Sequence, residues 1–327
     1  MDRGDLISNI LLYLPFGVFA ARSFRLLSSI AGAAIAGLLG FALSTAIEIA
    51  QFYDLTRSSD LCDIYANAAG AFLGAYVAWF LRRSVFSGVA RDSPALLLTA
   101  IWLGYELFPY LPILSRPTYM PLVAAFRSPH FPPVDLLGQI VFWLAAAALI
   151  GELFGPVRSR AILLILALCV LSIRLVNGVL TPVDLAGAAS ALIAWLAILR
   201  LPRRIPLIAT LFLIYAILQA LQPFHFLPAA RHFGWIPFLS FIEGSRYDGT
   251  RTFLEKSFTY GALVWLWTRG GLSWRVATIA AVALELALRL AQVWLPGRSA
   301  EITDAIMVLM LAVVMKLIDR PPGWTAG

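Results

Sequence analysis

Charge is what this sequence has least of. Asp, Glu, Lys and Arg together make up 13% of its 327 residues, about half of what a soluble domain uses to cover its surface, while 61% are hydrophobic. So thin a polar covering excludes an ordinary water-soluble globule and makes lipid the main solvent. Cysteine is nearly absent, at two residues, which excludes a disulfide-rich secreted scaffold and a four-thiolate metal site. Histidine is scarce too, and His130, His225 and His232 have no metal-ligand spacing. There is no His-Glu-x-x-His run, no phosphate loop and no nucleophile elbow. No metal or cofactor is expected.

Apolar runs fill the space left by charge. Runs of the length a spanning helix needs, roughly 20 residues, occur at 6–22, 28–52, 61–81, 94–115, 134–154, 159–178, 182–200, 205–223, 252–268, 273–293 and 301–318. They predict an all-α polytopic membrane protein with about eleven transmembrane helices, within a range of ten to twelve. The opening MDRGD has no basic bias and no small-residue cleavage pattern follows it, so residues 6–21 read as a retained helix. Three regions follow from the grouping of the runs, at 1–90, 91–204 and 205–327.

The few charges are unevenly placed. With the N-terminus outside, alternate connections carry Arg22 and Arg25, Arg82, Arg83 and Arg91, Arg158 and Arg160, Arg200, Arg203 and Arg204, Arg269 and Arg275, and finally Lys316 and Arg320. That bias follows the positive-inside rule, with the C-terminus cytoplasmic. It accounts for most of the formal net charge of +7 as topology, without nucleic acid as a partner. Acids gather on the opposite side, among them Asp54, Asp60, Asp63, Asp135, Asp184, Glu255, Glu301 and Asp304. Chemistry or recognition is expected on that outer face.

Two segments share a polar spacing. Gln51, Arg57 and Asp63 lie six and six residues apart between apolar runs, and Gln292, Arg298 and Asp304 repeat it, which points to a parallel internal duplication. Pro133-Val134-Asp135-Leu136 and Pro182-Val183-Asp184-Leu185 are weaker echoes that read as acidic helix caps. Glu285 and Arg289 are one turn apart and can neutralise each other, while Glu106 and Arg174 need partners. The stretch 224–256 reads as an outer lid or interfacial loop.

The run SNILLYLPFG at 8–17, with Asn9, Pro15 and Gly17, is followed by Glu48, Gln51, Arg57, Asp63, Asn67 and Gly70. This pattern over about residues 5–82 resembles the VanZ-like family of integral membrane proteins. The region 220–318 resembles a second, divergent copy, with Arg289, Val308 and Leu311 where the first has Glu48, Asn67 and Gly70. The resemblance implies a multi-pass protein of the bacterial cytoplasmic membrane, in a family associated with low-level glycopeptide resistance.

These readings converge on an outer-facing polar pocket. Its expected ligand-binding residues are Asn9, Gln51, Arg57, Asp63, Asn67, Gln292, Arg298 and Asp304. A guanidinium offers paired donors to phosphate or carboxylate, and Asp63, Asn67 and Gly70 share a helix face. The ligand expected is a membrane lipid, either a lipid-linked glycan intermediate of the envelope or an amphiphilic antibiotic. One alternative is an enzyme that hydrolyses or transfers a lipid-linked head group, with Glu48 or Asp63 as the acid/base residue. Another is a lipid or drug transporter.

Overall fold

A computed structural model describes residues 9–10, 13, 16–17, 20, 30–52, 61–83, 93–108, 116–240 and 246–319. All regular elements among them are helical, and the single bridge of strand type joins Gly234 to Glu301. The chain divides into two compact units, Met1–Val89 and Ala90–Gly327.

In the first unit, α1 (Ile30–Phe52) packs along α2 (Leu61–Arg83). Residues 9, 10, 13, 16, 17 and 20 are also helical, and their spacing puts them on one face. Ala20, Ala36 and Ala75 make a small core covered by Phe16. Small residues bring the backbones close. A Cβ on Gly70 would collide with the Ile10 carbonyl oxygen, and one on Gly17 with that of Ala71. Both glycines are therefore required by contact between helices.

The second unit holds α3 (Pro94–Glu106), α4 (Arg116–Arg127), α5 (Pro133–Val176), α6 (Pro182–Ile198), α7 (Arg204–Leu221), α8 (Arg246–Arg269), α9 (Trp274–Ala291), a 3-10 turn (Gln292–Trp294) and α10 (Thr303–Ile318). Helix α8 packs against α3, α7, α9 and α10, while α5 packs against α3, α6 and α7. Residues Ala262–Leu266 of α8 and Val141–Ile150 of α5 are buried. Where these helices meet, the Phe142 ring stacks on Phe212 at 5.7 Å and stands edge-on to Phe258, Tyr215 and Tyr105 at 5.0, 5.6 and 5.8 Å. Offset and edge-to-face pairs of this kind add about 0.5–1.5 kcal/mol each beyond burial.

Helix starts have recognisable causes. Ser93 accepts from the Ala95 amide, Ser273 accepts from that of Val276, and Thr181 forms a reciprocal capping box with Asp184. Helix α5 is two helices joined at Gly155, whose φ of 78° and ψ of 167° leave the helical region. The cause is Pro156, which disfavours the α conformation in the residue before it.

Four described segments are long and apolar enough to cross a membrane: Pro133–Gly155, Val157–Val176, Arg204–Leu221 and Trp274–Trp294. They make this a multi-pass membrane protein and correct the expected eleven spans. Apolar run length exceeded helix length at several places. The run at 94–115 ends as a helix at Glu106, after 13 residues, with Pro109 following in sequence. At 1.5 Å per residue that is about 20 Å, short of a hydrocarbon core of about 30 Å. Helices α6 and α10 have 17 and 16 residues and fall short for the same reason. Helix α8 is long enough at 24 residues, but Arg246, Asp248, Arg251, Glu255, Lys256 and Arg269 make it too polar. In the first unit the apolar helical run described is Ala34–Ala46.

No atom lies within 4 Å of a Cβ placed on Gly155, so a side chain there meets only the backbone cost of positive φ. Gly155→Ala is expected to destabilise the protein by about 1–3 kcal/mol, measured by denaturation in detergent. Gly151→Ala, in helical backbone one turn earlier, is expected to stabilise slightly.

Candidate functional site

In the first unit the Asn9 amide donates to Asp63 Oδ1 at 2.6 Å, tying the N-terminal helical residues to the first turn of α2. One turn deeper, the Asn67 amide donates to Ser44 Oγ at 2.8 Å, joining α2 to α1. Asp63 and Asn67 are both buried, and Asn67 Oδ1 has no hydrogen-bond partner among the described residues. Glu48 and Gln51 lie in the last turns of α1, but their side chains are outside the described residues, as is Arg57 altogether. Asn9, Asp63 and Asn67 thus lie along the seams between helices.

In the second unit Gln292, Arg298 and Asp304 come to one end of the bundle. Arg289 is the hub of the group. It donates to Gln292 Oε1 at 2.7 Å and to Glu285 at 3.0 Å, and pairs with Asp304 at 2.8 Å. Lys256 pairs with the other Asp304 oxygen at 2.7 Å. The Gln292 amide donates to the Ala220 carbonyl at 2.7 Å. Arg298 donates to the carbonyls of Gln219 and Gln222, both at 2.9 Å. Those carbonyls end α7, where helix geometry leaves acceptors unsatisfied and the dipole favours a cation. Burial and the like charge of Arg289 push the Arg298 pKa down. Arg231 closes the loop by donating to the Gln292 and Arg298 carbonyls. Lys256 and Arg289 balance Glu285 and Asp304, while Arg231 and Arg298 are held by backbone carbonyls.

A different set of residues surrounds open volume. A cleft of about 610 Å³ lies where α5, α6 and α8 begin and α3 and α7 end. Arg174 joins it from the end of α5, held by Asp184 at 2.6 Å and by the buried Glu106 at 3.0 Å. The second Asp184 oxygen accepts from the Thr181 amide and hydroxyl at 2.8 and 2.9 Å. Burial pushes the Glu106 carboxyl up, and Arg174 pulls against it. Tyr105, Phe142 and Tyr215 supply aromatic surface, and Gln139, Gln219 and His130 supply hydrogen-bonding groups. Asp135, Arg251 and Glu255 also face the cleft, and none of them has an ion pair among the described residues. Burial pushes the Glu255 carboxyl up, opposed chiefly by Arg251 and Lys256. Among the described residues no group of three or more His, Cys, Asp or Glu is placed to hold a metal ion.

Residues 2–82 match the VanZ/LLP1 family. The match covers the first unit and includes Asn9, Glu48, Gln51, Arg57, Asp63, Asn67 and Gly70. It ends at residue 82, and the divergent second copy expected at 220–318 has no support from it. No curated protein and no solved structure matches the chain.

Of the cleft residues, sequence reasoning singled out Arg174 and Glu106 as needing partners, and the structure provides them. Asp135 was read as a cap, and Arg251 and Glu255 were noted only as members of an outer acidic and basic stretch. Their one-turn spacing at the start of α8 was the signal available.

Arg289→Met removes the cation shared by Glu285 and Asp304, leaving Lys256 alone against two buried carboxylates. The loss expected is about 3–5 kcal/mol, seen as a lower midpoint on denaturation in detergent. Glu285→Gln keeps an acceptor for Arg289 and is expected to lose less than half as much.

Proposed function

We propose that this is a cell-envelope membrane protein that binds an amphiphile, with the head group in the polar cleft and the apolar part in the bilayer. A lipid-linked envelope intermediate or an amphiphilic antibiotic has the required two-part chemistry. The observation that carries the reading is the open cleft at the ends of the spanning segments Pro133–Gly155, Val157–Val176 and Arg204–Leu221. Mixed charge and aromatic surface at that level suit a polar head joined to an apolar tail.

The charge pattern supports an outward cleft. Helices α7 and α8 carry Arg204 and Arg269 at the ends opposite it, where Arg269 is bonded to Glu152 by two hydrogen bonds of 2.8 Å. Arg158, Arg160, Arg200, Arg203 and Arg275 fall at the same helix ends, so that side is the cytoplasmic one by the positive-inside rule. On this reading the protein lies in the bacterial cytoplasmic membrane with its N-terminus outside.

In the VanZ/LLP1-matching unit, Gln51 and Arg57 are proposed as polar contacts of that unit by itself. Asn9, Asp63 and Asn67 hold the seams between the helices of that unit. In the second unit Gln292, Arg298 and Asp304 act by holding the ends of α7, α9 and α10 in place. Asp63 accepts from Asn9 at 2.6 Å, which suits a structural acceptor better than an acid/base group.

The test uses the purified full chain incubated with a total envelope lipid extract, reading both retained amphiphile and any converted product by mass spectrometry. Wild type is expected to retain an amphiphile unchanged. Ser128→Trp, which fills the cleft mouth, is expected to lose most of it. Equal retention by Ser128→Trp would remove the cleft from the reading, and conversion by wild type would make the protein an enzyme.

A further inference from the structure

The cleft has chemistry specific enough to name a head-group class, an inference that rests on the amphiphile reading above. Once the internally paired groups are set aside, Arg174 with Glu106 and Asp184 among them, three charged side chains are left on its wall. They are one cation, Arg251, and two carboxylates, Asp135 and Glu255. Arg251 and Glu255 sit one turn apart on α8, a spacing at which an arginine and a glutamate commonly pair. Here they do not. The Arg251 guanidinium lies over the Tyr105 ring instead, 5.8 Å from its centroid, and Glu255 is left half-buried.

A ligand for this wall needs both signs of charge. A purely anionic head group would face Asp135 and Glu255 without compensation, and a purely cationic one would face Arg251. A neutral sugar would desolvate all three charges and neutralise none. A phosphate on Arg251 with an amine one turn deeper, on Glu255 and Asp135, satisfies all of them. One turn is about 5–6 Å between facing side chains, the reach of a short linker between phosphate and amine.

The second observation is the amphipathic helix at the cleft mouth. Met120, Val123 and Phe126 of α4 recur every three residues and are exposed, while Ala125 and Ser128 line the cleft. Helix α4 is held at the end of a spanning segment, since the Tyr119 hydroxyl donates to the Val176 carbonyl at 2.6 Å. An apolar face at that level lies in the bilayer interface. The ligand therefore arrives from the membrane plane.

We propose that the cleft binds the zwitterionic amine-phosphate head group of a membrane phospholipid, with Arg251 on the phosphate and Glu255 and Asp135 on the ammonium. The full chain is reconstituted with equal amounts of an ethanolamine phospholipid, a glycerol phospholipid and a neutral glycosyl diacylglycerol, all with the same acyl chains. Retained lipid is then measured after delipidating washes. Wild type is expected to keep the ethanolamine lipid about tenfold over either competitor. Arg251→Gln, Glu255→Gln and the exposed-site variant Asp135→Asn are each expected to lose that preference, while Arg160→Ala, at the other end of the bundle, keeps it. Free phosphoethanolamine is expected to displace little of the bound lipid. Equal retention of the glycerol lipid, preference for the glycosyl lipid, or complete displacement by the free head group would each overturn this assignment and leave the amphiphile reading standing. Retention of none of the three would overturn this assignment alone, whereas retention of no amphiphile from the total envelope extract would overturn both.

Discussion

A guanidinium buried where helices end in a membrane has to be neutralised inside the protein, because neither hydrocarbon nor a packed interior hydrates it. Arg174 and Arg289 are both buried, and each is met by two carboxylates from separate places in the sequence. Arg174 gathers Glu106 from the end of α3 and Asp184 from the start of α6. Arg289 gathers Glu285 from its own helix and Asp304 from the start of α10. These two arginines decide which helix ends of the second unit can meet. The aromatic cluster around Phe142 then fills the space beneath them. Losing Arg174 would leave Glu106 without a cation, and losing Arg289 would leave Glu285 and Asp304 with Lys256 alone, which is why this end of the bundle is held by charge and its middle by rings.

That constraint also separates structure from recognition. Groups that the fold needs are already in ion pairs, and charged groups on an open wall without an ion pair can turn to a ligand. Gln292, Arg298 and Asp304 belong to the first class in their observed geometry, since every one of them is engaged with backbone or with Arg289 and Lys256. Asp135, Arg251 and Glu255 belong to the second. Desolvation makes the distinction sharp, because a half-buried carboxylate without a cation is costly until something binds it.

Legibility in the sequence followed the range of the cause. The break at Gly155 was readable because Pro156 acts on its neighbour, and the spans at 134–154, 159–178, 205–223 and 273–293 match described helices closely. Helix ends that depend on where an apolar run stops being helical were less readable, as at Glu106. The spacing Gln292, Arg298 and Asp304 picked out residues that do gather at one end, but a spacing does not reveal what each side chain bonds. The cleft was the least readable feature, because its wall is drawn from six helices far apart in sequence and the charges without an ion pair are visible only once the paired ones are known.

The two Pro-Val-Asp-Leu starts make this point at the level of single atoms. At 182–185 the preceding residue is Thr181, whose hydroxyl accepts the Asp184 amide while the Asp184 carboxylate accepts the Thr181 amide. That box turns the carboxylate inward, where Arg174 reaches its other oxygen and the group is consumed. At 133–136 the preceding residue is Pro132, which has no amide hydrogen and makes no side-chain cap. Asp135 has nothing to close a box with, and its carboxylate stays exposed on the cleft wall. One residue ahead of an otherwise identical motif therefore decides whether the aspartate holds the bundle together or faces what the bundle binds.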